Sequence, residues 1–272
     1  MATSFVAMSG ASKPAWQLPL PCNMDFYDSL AQQYDQLTAA ASRQATADAF
    51  VGRLLAQRPI ERAVDVACGT GLFALAMARR GVRTTGIDIS SGMLRQARQA
   101  ADSQGLQVNW LAAPMQQLPA AAAGPFDAVL CMGNSLPHLL SADDLAVTLA
   151  GFAKVLAPGG LAAMHLLNYR RVLQRRERIV GIQAAGETTF VRFYDFGGGE
   201  MLTFSILELR RRGSDFDYTL HSANLRPWLA GDVASAARNA GMGQVTFFGG
   251  LDMGPFDADQ SDTVLIMAAK SP

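Results

Sequence analysis

The chain has no surplus of charge of either sign: 23 Lys and Arg balance 23 Asp and Glu over 272 residues. A surface that grips a phosphate backbone or an anionic membrane carries a positive excess, so the composition speaks against nucleic acid and against a membrane as partner. Cysteine is scarce: Cys22, Cys68 and Cys131 are unevenly spaced, which fits free thiols in a reducing, cytoplasmic setting better than a disulfide framework. His138, His165 and His221 form no Cys/His pair at ligand spacing, so no metal site is expected. No charged start leads into a continuous apolar run, which argues against a signal peptide or membrane anchor. Residues 1–23, rich in Ala, Ser and Pro, read as a disordered extension before one domain over 24–272.

What the chain does have is apolar mass, 50% of its residues, enough to bury a full core. Within that mass the stretch Asp65-Val66-Ala67-Cys68-Gly69-Thr70-Gly71 carries the most information. It joins the apolar run Ala63 to Ala67 to the helix-like run Leu72 to Arg80, as a nucleotide-binding turn does. Glycines let the backbone bend sharply and approach a ligand, and the amides opening the next helix point into the same space. Gly69 to Ala74 also fits the G-x-G-x-x-G/A dinucleotide fingerprint, with Asp88 at a suitable distance for a ribose-binding carboxylate. Asp65 tilts the choice. A carboxylate beside the turn repels a pyrophosphate but suits the ammonium of S-adenosylmethionine (SAM).

Order along the chain supports an open parallel sheet. Strands at 62–67, 82–88, 107–112, 126–131 and 160–167 alternate with helices at 71–80, 91–103 and 142–156, the pattern of a sheet wound on both faces. Helical spacing of Phe50, Leu54 and Leu55 predicts two helices over about 27–57 that cover the crevice as a lid. Pro158-Gly159-Gly160 marks the turn that returns the chain to the sheet. Thr188 to Phe196, Met201 to Arg210 and Phe216 to Leu220 read as antiparallel strands of an insertion at about 170–227. A helix Asp232 to Ala240 and two closing strands, Gln244 to Phe248 and Thr263 to Ala269, complete a seven-stranded order.

The Asp65 to Gly71 turn, the stretch Phe126 to Ser135, His138-Leu139, Pro158 to Gly160 and Asn168-Tyr169 together resemble class I SAM-dependent methyltransferases, most of all the glycine N-methyltransferases. The resemblance covers most of 25–270, more firmly in the first half. It implies a Rossmann-like seven-stranded α/β fold, SAM as cofactor and a small-molecule acceptor. It implies SAM contacts at Tyr34, Arg43, Asp65, Ala67, Gly69, Gly71, Asp88, Ile89, Met115, Met132 and Asn134, with Arg43 on the methionine carboxylate and Tyr34 in the lid. Two departures stand out. Ala113-Pro114-Met115 replaces the family's adenine-binding Asp or Asn, which leaves a backbone amide such as that of Met115. Leu167 stands where the glycine enzymes carry the arginine that clamps the substrate carboxylate. Without that clamp glycine is expected to be a poor substrate, unless Arg170, Arg171 or Arg192 takes the role.

Methyl transfer from a sulfonium is an in-line displacement that asks for positioning and exclusion of water. For an amine acceptor, aromatic faces stabilise the growing charge, and Tyr27, Tyr34, Tyr169, Tyr194 and Trp228 are the candidates, with Arg192 a further candidate for binding the substrate. A hydroxyl or thiol acceptor needs a base, and His138 after Asn134 is the best placed by sequence; His138, Asn134 and Tyr169 form the candidate catalytic set. The expected function is methylation of a small metabolite at nitrogen, with O- or S-methylation as the alternative. A NAD-dependent oxidoreductase and a non-catalytic SAM-binding protein remain rivals of other kinds. The run Arg170 to Arg178 reads as a solvated helix face or as a local basic patch.

Overall fold

A computed structural model describes Asp28, Leu30, Ala31, residues 40–197 and residues 199–271, with side chains of the first helix from residue 43 onward. The expected extension over 1–23, together with Cys22, Tyr27 and Tyr34, lies outside the described residues.

The first part alternates as its apolar pattern requires: α1 (Ala40–Gln57), β1 (Arg62–Val66), α2 (Leu72–Ala78), β2 (Arg83–Asp88), α3 (Ser91–Ser103), β3 (Val108–Ala112), a short α4 (Leu118–Ala121), β4 (Phe126–Cys131), α5 (Ala142–Val155) and β5 (Leu156–Leu167). Then follow α6 (Tyr169–Arg175), β6 (Ile179–Ala185), β7 (Thr188–Asp195), β8 (Leu202–Arg212), β9 (Asp215–Leu225), α7 (Ala230–Asn239), β10 (Gln244–Phe248) and β11 (Thr263–Ala269).

Seven strands form one sheet in the order β10-β11-β5-β4-β1-β2-β3. β1 pairs in parallel with β2 and β4, and the ladder extends in parallel to β3 and β5. β11 runs antiparallel to both β5 and β10. Side chains alternate between the two faces of each strand, and each face meets its own helices. Val64 and Val66 face one core with Leu149, Phe152 and Val233. Ala63 faces the other, with Phe50, Leu54, Phe73 and Met77. Fully burying a residue such as Leu54 or Phe152 stabilises the fold by roughly 1.5–3 kcal/mol each, so the two layers fix the sheet that carries the site.

Three details differ from expectation. Of the two helices expected over 27–57, α1 is docked on the sheet, with Ala47, Phe50, Val51 and Leu54 buried and Phe50 meeting Phe73 of α2 edge to face at a ring-centroid distance of 6.1 Å. Most of the stretch before it lies outside the described residues. Of α1, only the first described side chain, Arg43, reaches the cleft. Pro158-Gly159-Gly160 does not precede β5 but lies inside it, where pairing with β4 shifts register between Phe126 and Ala128. The second sheet has four strands, not three, in the order β6-β7-β8-β9 and antiparallel throughout. β6 was not read from the sequence.

One face of the second sheet turns inward: Phe190, Ile206 and Ala223 are buried against Leu30. Just before Leu30, the Asp28 carboxylate accepts from the Ser90 hydroxyl and, at 3.0 Å, from the Gly92 N–H. Asp28 and Leu30 therefore tie the start of α3 to the second sheet. The opposite face leaves Ile182, Tyr218 and Leu220 exposed.

Candidate active site

Strand β1 ends in an unusual backbone. Ala67 has φ 54, and Gly69 and Gly71 follow at φ 56 and 85, so the chain turns left-handed three times within five residues. At Gly71 an added Cβ would sit 2.6 Å from the Trp110 ring, so only glycine fits both the angle and the space. The turn lies at the carboxyl ends of β1, β2 and β4, where the order of the parallel strands reverses direction, the place where open α/β sheets bind ligands. A cleft of about 970 Å³, counting its open mouth, lies over it.

Two carboxylates anchor the floor. Asp65, 1% exposed, accepts from the Ala74 N–H of α2 at 3.0 Å. Asp88 accepts from the Gly69 N–H at 2.7 Å and the Ser90 N–H at 2.9 Å, which clamps the glycine turn to the end of β2. Burial pushes the Asp65 carboxyl up to about 8, against the help of the Ala74 N–H, and nearby Asp88 adds to the rise. Burial raises Asp88 as well. The carboxylate oxygens keep accepting capacity beyond these backbone bonds. A floor of this kind is costly when it stands ionised without a cation, and a ligand that brings one relieves it.

The wall fits SAM at its other ends too. Gln116 Oε1 is buried in the cleft lining without a hydrogen-bond partner among the described residues, so a donor such as the adenine amine would complete it. Gln116 escaped the sequence reading, which stopped at Met115; its signal was a polar side chain one residue beyond the proline. Across the cleft, Arg43 lies beside Gly133, whose added Cβ would be 3.8 Å from its Nη2, and no ion pair among the described residues engages it. It is placed to take a ligand carboxylate. Asp65, Ala67, Gly69, Asp88, Ile89, Met115 and Met132 line the same cleft, while Gly71 opens α2 beside it.

The acceptor side is assembled from distant segments. Asn134 follows β4 at φ 69, next to Gly133 at φ 73. Its Oδ1 accepts from the Leu167 N–H at 3.1 Å and its Nδ2 donates to the Tyr169 hydroxyl at 2.9 Å. Asn134 thus clamps the ends of β4 and β5 and holds Tyr169, and both ends of its amide are spent on the protein. Tyr169 in turn hydrogen-bonds Tyr194 of β7. His138 lines the cleft in a short 3₁₀ turn, Leu136–His138, and burial pulls its imidazole down to about 4. Trp228 is buried in the same core cluster as Tyr169 and Tyr194, and none of these three rings lines the cleft: its indole N–H donates to the Leu139 carbonyl at 2.9 Å, and Arg226 lies 4.4 Å over it. The indole went to packing because a Leu139 carbonyl was there to satisfy its N–H.

The chain is similar to known proteins. The family model described as a methyltransferase domain matches residues 63–160. Human glycine N-methyltransferase is 31% identical over 54% of this chain, which spans 55% of that protein's length. The ubiquinone biosynthesis O-methyltransferase of Psychrobacter arcticus is 33% identical over 64% of the chain and 68% of its own length. The chain belongs to the class I SAM-dependent methyltransferases. Among solved structures, the CcbJ methyltransferase of Streptomyces caelestis superposes with a TM-score of 0.78 over 92% of the chain and 99% of its own, at 20% identity, a likeness of fold. With the family established, SAM is the cofactor, and the dinucleotide reading of Gly69 to Ala74 falls away.

Proposed function

We propose that the chain transfers a methyl group from SAM to a small metabolite, at an amine nitrogen. SAM, when bound, supplies a methyl group on a sulfonium, an electrophile that needs no activation by the protein. The chain's own residues then bind, orient and exclude water. Asp65 lies with the methionine end and Asp88 with the ribose; Arg43 takes the methionine carboxylate. Met132 and Gly133 border the methyl, and the Asn134 clamp fixes Tyr169, and through it Tyr194, in the layer behind the cleft.

The choice of nitrogen rests on His138. A hydroxyl acceptor needs a general base whose strength suits neutral pH, and burial has brought this imidazole down to about 4. No other histidine lines the cleft. A neutral amine brings its own lone pair and needs positioning alone. O-methylation stands as the second reading because one relative that shows the family is an O-methyltransferase.

A small acceptor is supported by the arginine run after Tyr169. Arg170, Arg171 and Arg178 pair with Asp259, Asp262 and Asp195, and Arg176 lies over the Phe196 ring at 5.0 Å. The basic patch is neutralised, which leaves little for a phosphate backbone. No helix among the described residues is long and apolar enough to cross a membrane; a cytoplasmic location is part of this proposal. S-adenosylhomocysteine release across small amines, phenols and thiols tests the reading: turnover of amines supports nitrogen, and turnover of phenols alone replaces it with oxygen.

A further inference from the structure

We propose that Trp110 is a positioning residue for SAM, one that fixes the glycine turn from behind by filling a slot kept open by two glycines, Gly71 and Gly86. The proposal rests on the assignment of the cleft to SAM and adds a residue that neither lines the cleft nor belongs to the turn.

Register brings the parts together. Asp65 of β1, Gly86 of β2 and Trp110 of β3 stand in one row across neighbouring strands. Residues paired in this way project from the same face of a sheet, so the Trp110 side chain stands on the Asp65 side, the side covered by α2, with only a bare glycine between them. The ring lies over that glycine: a Cβ built on Gly86 would come 2.3 Å from Trp110 Cζ3, 2.4 Å from its Cε3 and 3.2 Å from Cys68 Sγ. Its far edge reaches the turn, where a Cβ on Gly71 would come 2.6 Å from Cη2 and 3.3 Å from Cζ3. One ring thus takes the place of two missing side chains, one inside a strand and one at the start of α2.

The two glycines have different reasons. Gly71 has φ 85, so its backbone alone favours glycine. Gly86 is a buried strand residue outside the left-handed region, and a glycine inside a strand sacrifices both packing and conformational entropy. Its conformation does not ask for glycine; the ring does. The end of β2 that follows carries the turn, because the Cys68 N–H donates to the Ile87 carbonyl at 3.0 Å and the Gly69 N–H to the Asp88 carboxylate at 2.7 Å. Trp110 is itself held from α3: Arg98 donates to its carbonyl at 3.3 Å, and Ala97 lies beside the turn, its Cβ 3.2 Å from the one built on Gly71. With β2 tied to the turn in front and the ring wedged behind both, Gly69, Gly71 and Asp88 keep one spacing before SAM arrives. A seat set in advance binds more tightly, since no ordering is left for the ligand to impose.

SAM binding by calorimetry on the full chain tests this, at a temperature where every variant is folded. Trp110→Ala should weaken SAM roughly thirtyfold, the scale on which a small misplacement of binding groups is felt. Trp110→Phe, which keeps a ring over Gly86, should recover most of that loss. Gly86→Ala gives the sharper reading, because its methyl group suits the strand and collides with the ring, meeting nothing else closer than 3.2 Å. It should weaken SAM by a similar factor in the wild type and cost nothing in the Trp110→Ala background. Should Trp110→Ala be too unstable to measure, Trp110→Leu carries the same cycle. Urea denaturation separates positioning from stability: a ring that served only the core would lower the midpoint and leave SAM affinity unchanged, and that result overturns the proposal. A Gly86→Ala loss that is equal in both backgrounds overturns it too. Failure of the wild type itself to bind SAM overturns the cofactor assignment and the proposal with it.

Discussion

The cofactor half and the acceptor half of the cleft are built differently. On the cofactor side, a single run from Asp65 to Gly71 with Asp88 makes most of the floor, and each carboxylate is fixed by backbone N–H groups. On the acceptor side, Asn134, Tyr169 and Tyr194 come from three segments and meet only through the fold, held by side-chain bonds. Backbone bonds set by a local turn make a rigid seat for one invariable ligand. A chain of side chains sets a pocket that single substitutions can retune, so the two halves should respond differently to mutation.

The largest effect should come from the cofactor turn. Gly71→Val puts a branched side chain at φ 85 and against Trp110, and strain together with overpacking is expected to cost about 2–4 kcal/mol of stability, read as a fall in the denaturant midpoint, with SAM binding lost. Next comes Asp88→Ala, which removes both the ribose partner and the clamp on Gly69, with SAM affinity falling about a hundredfold by calorimetry. Arg43→Ala should weaken SAM about tenfold and leave the fold unchanged, since no protein partner among the described residues depends on it. On the acceptor side, Tyr169→Phe breaks the link from Asn134 to Tyr194 and should lower kcat/KM several-fold while SAM affinity holds. A Tyr169→Phe variant that loses SAM binding would erase the contrast between the halves.

Two titrations sharpen the same contrast. Asp65 is raised in the folded protein from 3.8 to about 8, so its neutral form favours folding. Its contribution is complete below about pH 4 and is lost as pH rises through about 8. Asp65→Asn should therefore stabilise the cofactor-free protein above neutral pH while weakening SAM. His138 is shifted the other way, down to about 4, so its contribution is present above its ordinary 6.5 and is lost as pH falls through about 4. A His138→Gln variant should lose less stability between those limits, measured by urea denaturation at successive pH values.

The sequence exposed what is local and hid what is tertiary. The alternating strands and the glycine turn were legible because period, turn residues and the Asp65 carboxylate lie within one window. β6 was missed because Gly181 interrupts Ile179, Val180 and Ile182, and the preceding arginines read as one helical face; its register against β7 supplies what propensity withholds. Trp228 was read as an acceptor contact because an aromatic side chain does not announce its partner, and the Leu139 carbonyl that claims it is 89 positions away. The hydrogen-bond order from Asn134 to Tyr194 has no trace in spacing at all, since it depends on which end of one amide faces Leu167.

The most direct test of the account is SAM binding by calorimetry at pH 7 in buffers of different ionisation enthalpy. A floor carboxyl that is mostly protonated until a cation arrives must give up its proton on binding. The account predicts release of close to one proton per SAM in the wild type, abolished in Asp65→Asn, with affinity that rises toward pH 8. Binding without proton release, equal in both proteins, would contradict it.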